Sequence, residues 1–305
     1  MSGYILKRLV LVIPVLFGVS IVAFLMSHLV PGDPVVVMLG ERATAEDADR
    51  LREELGFNDP LHVQYLRYVG GVVQGDLGTS IRSGQPVLDE IVERFPSTLT
   101  LTFSAVVVAT VVGVTLGVAS SVARSSWVDS AIMGVALMGI SVPTFWSGIL
   151  MILLFGLYLE WLPIVGTGPV SLIMPTIVLA APAAAVLARI TRSTMLEVLG
   201  VDFVRSARAK GLRERVVIVR HVLPNALIPV ITIIGLQFGG LLSGSVIVES
   251  VFTRPGLGRY TITAIQSRDF PQIQGIVLVV AAIYVIVNLG VDLLYAVFDP
   301  RIRYE

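Results

Sequence analysis

The stretch DFVRSARAKGLRERVVIVRHVLPNALIP, Asp202 to Pro229, decides how this chain is read. Six of the 22 Lys and Arg residues fall between Arg205 and Arg220. The stretch lies between two uncharged runs, each long enough to cross a bilayer. A short basic connection between two membrane spans is expected on the cytoplasmic side, because Lys and Arg in short loops resist translocation. Its compactness is that expected of a docking surface.

The composition agrees with a membrane protein. Of 305 residues, 55% are hydrophobic and 14% charged, and the mean hydropathy is +0.85. Soluble domains carry about 25% charged residues. An all-α polytopic membrane protein follows. The formal net charge is zero, so overall charge points to no nucleic-acid partner. The absence of cysteine excludes disulfides, thiolate metal sites and Cys nucleophiles. The histidines, His28, His62 and His221, are far apart, so no His-based metal site is expected. The lysines are Lys7 and Lys210, and neither follows a glycine. A phosphate-binding loop of the form G-x-x-x-x-G-K-[ST] is therefore missing, and any ATP must be bound by another chain.

Lys7 and Arg8 precede the uncharged run Leu9 to Val30, too long for a signal peptide, so residues 1–30 read as a cytoplasmic N-terminus and an uncleaved first transmembrane helix. Residues 31–96 read as an extracytoplasmic segment with short amphipathic helices. Thr44 is expected to cap one that Gly56 ends. Asp59-Pro60 is expected to start a second, as cap and first-turn proline, with Tyr65, Leu66, Val69 and Val73 on its apolar side. Pro86 opens a third, which Pro96 is expected to break. Residues 97–298 then form a five-helix domain, with spans at about 98–123, 130–158, 172–189, 223–248 and 272–298. Residues 190–222 are its cytoplasmic loop and 299–305 a cytoplasmic tail. Six spans with both termini inside put Lys7, Arg8, Arg124, the basic loop, Arg301 and Arg303 in the cytoplasm, and only Arg254, Arg259 and Arg268 in short outside loops. Gly113 and Gly117, then Gly235, Gly239 and Ser243, then Gly240 and Gly244, repeat at four and predict close helix approach. Pro143, Pro175 and Pro182 predict kinks. Trp127 and Trp161 read as interface anchors.

Within the basic stretch, Asp202 is expected to cap a helix from Phe203 to Lys210 that Gly211 ends. A helix under about 12 residues is marginal alone and needs something to pack on. Arg205 and Arg208 share a face. A second helical piece, about 213–222, leads to Pro224. On composition alone, a loop touching anionic lipid fits nearly as well.

The spacing resembles that of ABC importer permeases, whose cytoplasmic signature reads E-A-A-x-x-x-G, nine residues, then I-x-L-P. Here Arg205-Ser206-Ala207-x-x-x-Gly211 is followed after nine residues by His221-Val222-Leu223-Pro224. Ala207, Gly211, Leu223 and Pro224 match, while Arg205, Ser206 and His221 depart. PGDP (Pro31 to Pro34), QYLRY (Gln64 to Tyr68), GDLGTS (Gly75 to Ser80), ES-VF-x-x-PGLG (Glu249 to Gly258) and DLLYA-x-x-DPRIRY (Asp292 to Tyr304) resemble the first permease subunit of the dipeptide and oligopeptide (peptide/nickel) importers. In this order they cover nearly the whole chain.

The resemblance implies the type I importer permease fold in the cell membrane and a subunit that performs no chemistry. It implies a second homologous permease, two ATP-binding subunits or domains holding ATP and Mg, and an extracytoplasmic binding protein that residues 31–96 are placed to touch. No cofactor is expected on this chain. Arg205, Ser206, Ala207, Arg208, Gly211, His221, Leu223 and Pro224 would be the ATPase-coupling residues. The cargo would be di- or oligopeptides, with nickel, glutathione and oligosaccharides as alternatives in the same branch.

Gln237, Glu249, Asn288 and Asp292 are the polar residues within or at the ends of spans, and so are pathway or gate candidates. Each also has a plain structural reading: Gln237 as helix glue, Asp292 paired with an arginine. A self-contained carrier or channel would need several ionisable groups in the span cores, and Asp292 is nearly alone there. A membrane scaffold would not need the spaced loop.

Overall fold

The computed structural model describes residues 2–29, 35, 39, 44–123 and 125–298, with the backbone alone at 2–9, 27–29, 51, 54, 55 and 291–298. The described residues are helical, apart from turns and one isolated bridge between Thr79 and Pro86. They form α1 (Ser2–Leu29), α2 (Ala45–Leu55), α3 (Leu61–Val73), α4 (Val87–Ser121), α5 (Ser126–Ser141), α6 (Thr144–Met151), α7 (Ile173–Leu199), α8 (Asp202–Ala209), α9 (Leu223–Val251), α10 (Leu257–Ser267) and α11 (Phe270–Phe298). Residues Val87–Ser121, Val170–Leu199, Glu214–Val251 and Phe270–Gly290 are each long and apolar enough to cross a bilayer. Val10–Met26 is a shorter apolar stretch within α1.

Local chemistry sets several boundaries as expected. The Thr44 hydroxyl accepts the Asp47 N–H at 3.2 Å, and the Asp47 carboxylate accepts the Thr44 N–H at 3.2 Å. This reciprocal box opens α2, and Gly56 closes it at φ 70°. Other boundaries differ. The residue before α3 is Pro60, not Asp59, whose carboxylate instead pairs with Arg67 at 2.7 Å.

Two prolines behave in opposite ways. Pro96 does not break the third amphipathic helix, which runs on as the 35-residue α4. The carbonyl that Pro96 leaves without its helical partner belongs to Val92, whose side chain is exposed. Pro143 does more than kink the third span. It divides the span into α5 and α6, bent by 100°. Proline disfavours the helical region for the residue before it, and Val142 is extended at ψ 124°. After α6 the chain continues as a π-helical stretch, Ile152–Tyr158.

The helix of the fourth span does not end at 189. Helix α7 continues to Leu199, so only 200–222 remain as connection. Glu249 lies inside α9, and the segment after it contains α10, whose Leu257, Tyr260 and Ala264 are buried at helical spacing.

The chain divides into two compact units, one of Ser97–Arg254 and Val287–Glu305, the other of Ser2–Pro96 and Pro255–Ile286. The first is built around α7. Met174, Val178, Leu179, Ala183, Ala184 and Leu187 pack with Leu101, Ala105 and Ala109 of α4 and with Val230, Leu241 and Val248 of α9. A Cβ on Gly113 would stand 2.7 Å from the Ala184 carbonyl oxygen, and one on Gly117 2.6 Å from that of Ala188. The expected G-x-x-x-G seam therefore exists, and α7 is its other side. Of the pair Gly240 and Gly244, a Cβ on Gly244 would touch Leu179 at 3.5 Å, whereas one on Gly240 would meet nothing within 4 Å.

The second unit packs Leu77, Val87 and Ile91 against Leu257, Tyr260, Ala264, Ile273 and Ile276. In it, α3 meets α1 through Tyr65, whose hydroxyl lies 2.8 Å from that of Ser20. Leu66 and Val73, expected on the apolar side of α3, are 67% and 81% exposed.

Candidate functional site

The basic connection folds into a hairpin of short helical pieces. Helix α8 is eight residues long and could not persist alone. It is held by an apolar cluster. Val204 and Ala207 turn inward at i,i+3 spacing and pack with Met195 at the end of α7, with Val217 and Val222, and with Ala226 of α9. Val118 of α4 flanks the same cluster. The opposite face of α8, with Phe203, Arg205, Ser206, Arg208 and Ala209, is exposed.

The expected cap is corrected. Asp202 is the first helical residue, not the cap; that place is taken by Val201, which has no side-chain bond to give. The Asp202 carboxylate lies 3.5 Å from Arg205, and its charge suits the helix N-terminus. Gly211 ends the helix at φ 77°, a left-handed conformation that costs other residues about 1–2 kcal/mol. Arg208 then closes the hairpin by donating from Nε and Nη2 to Glu214 at 3.1 and 2.6 Å. The guanidinium holds the Glu214 carboxyl below its ordinary value, and the carboxylate raises Arg208 in turn. After the turn Glu214–Val216, a π-helical stretch, Val217–Val222, runs into α9 without a break.

The coupling residues thus divide into two groups. Ala207 and Leu223 pack in the cluster beneath the hairpin, and Gly211 makes its turn. Pro224 sits in the first turn of α9, just after the π-helical stretch. His221 is half-buried and offers its carbonyl to Asn225 at 2.7 Å. Arg205, Ser206 and Arg208 face outward. Three of the four signature matches therefore build the element, while Arg205 and Ser206, two of the three departures, lie on the surface it presents. The supporting residues Val204, Met195 and Val217 were not singled out from sequence, although Val204 and Ala207 carry a readable i,i+3 signal.

The pathway candidates have different surroundings. Gln237 donates from Nε2 to the Ala183 carbonyl at 3.3 Å and so joins α9 to α7. Glu249 is fully buried and accepts a hydrogen bond from Thr98 Oγ1 at 2.7 Å. Asn288 has a buried Oδ1 with no partner among the described residues. Asp292 lies on α11, but its side chain is outside the described residues. Sequence reasoning missed Arg254, which is 4% exposed with Nε and Nη1 unpartnered among the described residues. Burial lowers the pKa of Arg254, and Glu249 opposes that shift. Among the described residues, no group of three His, Cys, Asp or Glu side chains could hold a metal ion.

Residues 87–304 match the model of the binding-protein-dependent transport system inner membrane component family, and residues 1–102 match the N-terminal model of the same type of membrane component. The chain is 45% identical over 306 residues to the glutathione transport system permease protein GsiC of Escherichia coli O6:H1, covering 100% of both. It is 43% identical over 338 residues to the dipeptide transport system permease protein DppB of Escherichia coli strain K12, again covering 100% of both. Among solved structures, a chain of the MetNI methionine ABC transporter in an inward-facing conformation superposes with TM-score 0.59 at 20% identity, over 69% of this chain and 96% of that one. A chain of an amino acid ABC transporter gives 0.51 at 21% identity, over 70% and 94%. These two likenesses concern the fold.

Proposed function

The chain belongs to the binding-protein-dependent transport system inner membrane component family, and on that footing we propose that it is one of two permease subunits of an ATP-driven importer of small peptides. The family is that of ABC importer permeases of the inner membrane, multi-pass transport subunits. The relatives named for dipeptide and for glutathione, itself a tripeptide, share a cargo class and match over the full chain. That cargo class is carried over to this chain as part of the proposal.

The observation that carries the mechanism is the hairpin around α8. Its inner face is anchored on the ends of α4 and α7, while its outer face leaves Arg205 and Ser206 open to a partner. An ATP-binding subunit, holding ATP and Mg, docks on that outer face from the cytoplasm. A second ATP-binding subunit docks in the same way on the homologous permease. When the ATPase pair closes on ATP, α8 moves, and its anchored face passes the movement to the helices. An extracytoplasmic binding protein supplies the peptide, with residues 31–96 as its contact on this chain.

The test is purification of the tagged chain with its partners, followed by ATP-dependent uptake of a labelled dipeptide and of glutathione into proteoliposomes. Co-purification of an ATPase and uptake of either probe are expected. If deletion of 205–211 leaves both intact, the docking role is wrong. Uptake of nickel or an oligosaccharide in place of both probes would keep the machinery and replace the cargo.

A further inference from the structure

Asp129 stands in the first turn of α5, and its carboxylate is gripped from two other helices. Arg192 of α7 donates from Nε to Oδ1 at 2.7 Å and from Nη2 to Oδ2. Ser120, in the last turn of α4, donates its hydroxyl to Oδ1. A planar guanidinium fork on two carboxylate oxygens fixes orientation as well as distance. The pair is only partly buried, with side chains 33% and 22% exposed, and a pair that accessible adds little to stability by itself.

Its place relative to the docking hairpin gives it a use. Gly117, one turn before Ser120, is pressed against Ala188 and Thr191 of α7, beside Arg192. Met195, one turn after Arg192, is buried with Val204 and Ala207 of α8, and Val118 flanks that cluster. Two of the helix ends that support α8 are therefore the two that hold Asp129, the start of α9 being a third through Ala226. From Asp129, α5 runs to the break at Pro143. Further along α5, Gly139 lies close against the Ala181 backbone of α7, an apolar contact that carries no charge.

We propose that Asp129, clasped by Arg192 and Ser120, is the positioning residue that ties movement of α8 to the broken pair α5 and α6. The proposal rests on the reading that an ATPase drives α8. Displacing α8 displaces Met195 and Val118 with it. Arg192 and Ser120 then carry the displacement to Asp129, and α5 follows as a rod up to its proline.

The chain has no cysteine, so one introduced thiol is its single labelling site, read on this chain after the subunits are separated. In the purified complex, Met138→Cys, exposed on α5, is labelled with a thiol reagent with and without ATP plus vanadate. With the clasp intact, nucleotide is expected to change the labelling rate. Asp129→Asn and Arg192→Gln should each shrink that change about tenfold while ATP hydrolysis continues, and the exchanged pair Asp129→Arg with Arg192→Asp should restore it. The proposal is overturned if the single variants keep the full change, or if the exchanged pair assembles without it. If those variants do not assemble, Ser120→Ala decides: a response equal to that of the unmodified chain overturns the relay. Failure of any ATPase to co-purify with the unmodified chain sinks the transport reading itself. An active ATPase with a silent reporter sinks the relay alone.

Discussion

Ser80 donates its hydroxyl to the carboxylate of Asp269 at 2.7 Å, across 189 positions of sequence. Asp269 is fully buried, and it also accepts the N–H groups of Arg82 at 3.1 Å and Gln272 at 3.3 Å. Gln272 in turn donates to Ser80 at 2.8 Å and to Glu90 at 3.0 Å, and the Tyr260 hydroxyl donates to Glu90 as well. Burial, and then this bond to Glu90, raise the pKa of Tyr260. One buried carboxylate thus ties the GDLGTS turn to the start of α11. Asp269→Ala leaves those donors buried without an acceptor, at about 1–3 kcal/mol. The thermal midpoint of the purified protein in detergent should fall clearly, and less for Ser80→Ala. Equal midpoints for Asp269→Ala and the unmodified protein would contradict the network.

Gly117 and Gly134 make a matched pair of tests on helices of one unit. A Cβ on Gly117 would stand 2.6 Å from backbone oxygen of α7, whereas one on Gly134 would meet nothing within 4 Å. Gly117→Val should destabilise by about 1–3 kcal/mol through overpacking. Gly134→Ala should be neutral or stabilise by up to about 1 kcal/mol through helix propensity. Denaturation midpoints that move the same way for both would refute the close approach of α4 to α7.

Gly211 has open space around it, so any cost of replacement comes from the backbone alone. Gly211→Val at φ 77° should cost about 1–2 kcal/mol locally and re-aim α8, with Gly211→Asn milder. ATPase co-purification and uptake should follow the order Gly, Asn, Val. A chain with Gly211→Val that docks as well as the unmodified one would show that the turn is not needed.

Arg205 and Glu214 predict different responses to charge. Arg205 is exposed, so Arg205→Glu should leave stability within about 0.5 kcal/mol while weakening association with the ATPase. Glu214 is held below its ordinary carboxyl value of 4.5 by Arg208. A carboxyl depressed in the fold contributes above its unfolded value and loses that contribution as pH falls through the folded one. The Arg208–Glu214 tie should therefore be unchanged through neutral pH and fail only in acid, below 4.5. Glu214→Gln should remove it at every pH. ATPase association measured across a pH series reads both effects.

The parts legible in the sequence are those governed by neighbours along the chain. Thr44 and Gly56 bound α2 through bonds that reach only a few residues. Gly113 and Gly117 announce a close seam by spacing, although not which helix fills it. Pro96 and Pro143 show where this stops. The two look alike in sequence, yet one is absorbed in α4 and the other breaks a span. The outcome depends on whether the residue before proline leaves the helix and whether the freed carbonyl finds another partner. Asp202 illustrates a smaller miss: a good capping residue stands one place inside the helix, because the cluster around Val204 sets the register.

The sequence by itself determined the membrane class, the apolar segments and the basic stretch with its turn at Gly211. These follow from composition and short spacings, on which a bilayer and local backbone chemistry act directly. Only the tertiary structure decided which face of α8 is turned outward and which partner holds a buried or partly buried carboxylate. Asp129 finds Arg192 across 63 positions, and Glu249 finds Thr98 across 151. A charge withdrawn from water must be matched by whichever group the packing brings beside it, and spacing along the chain carries no record of that choice.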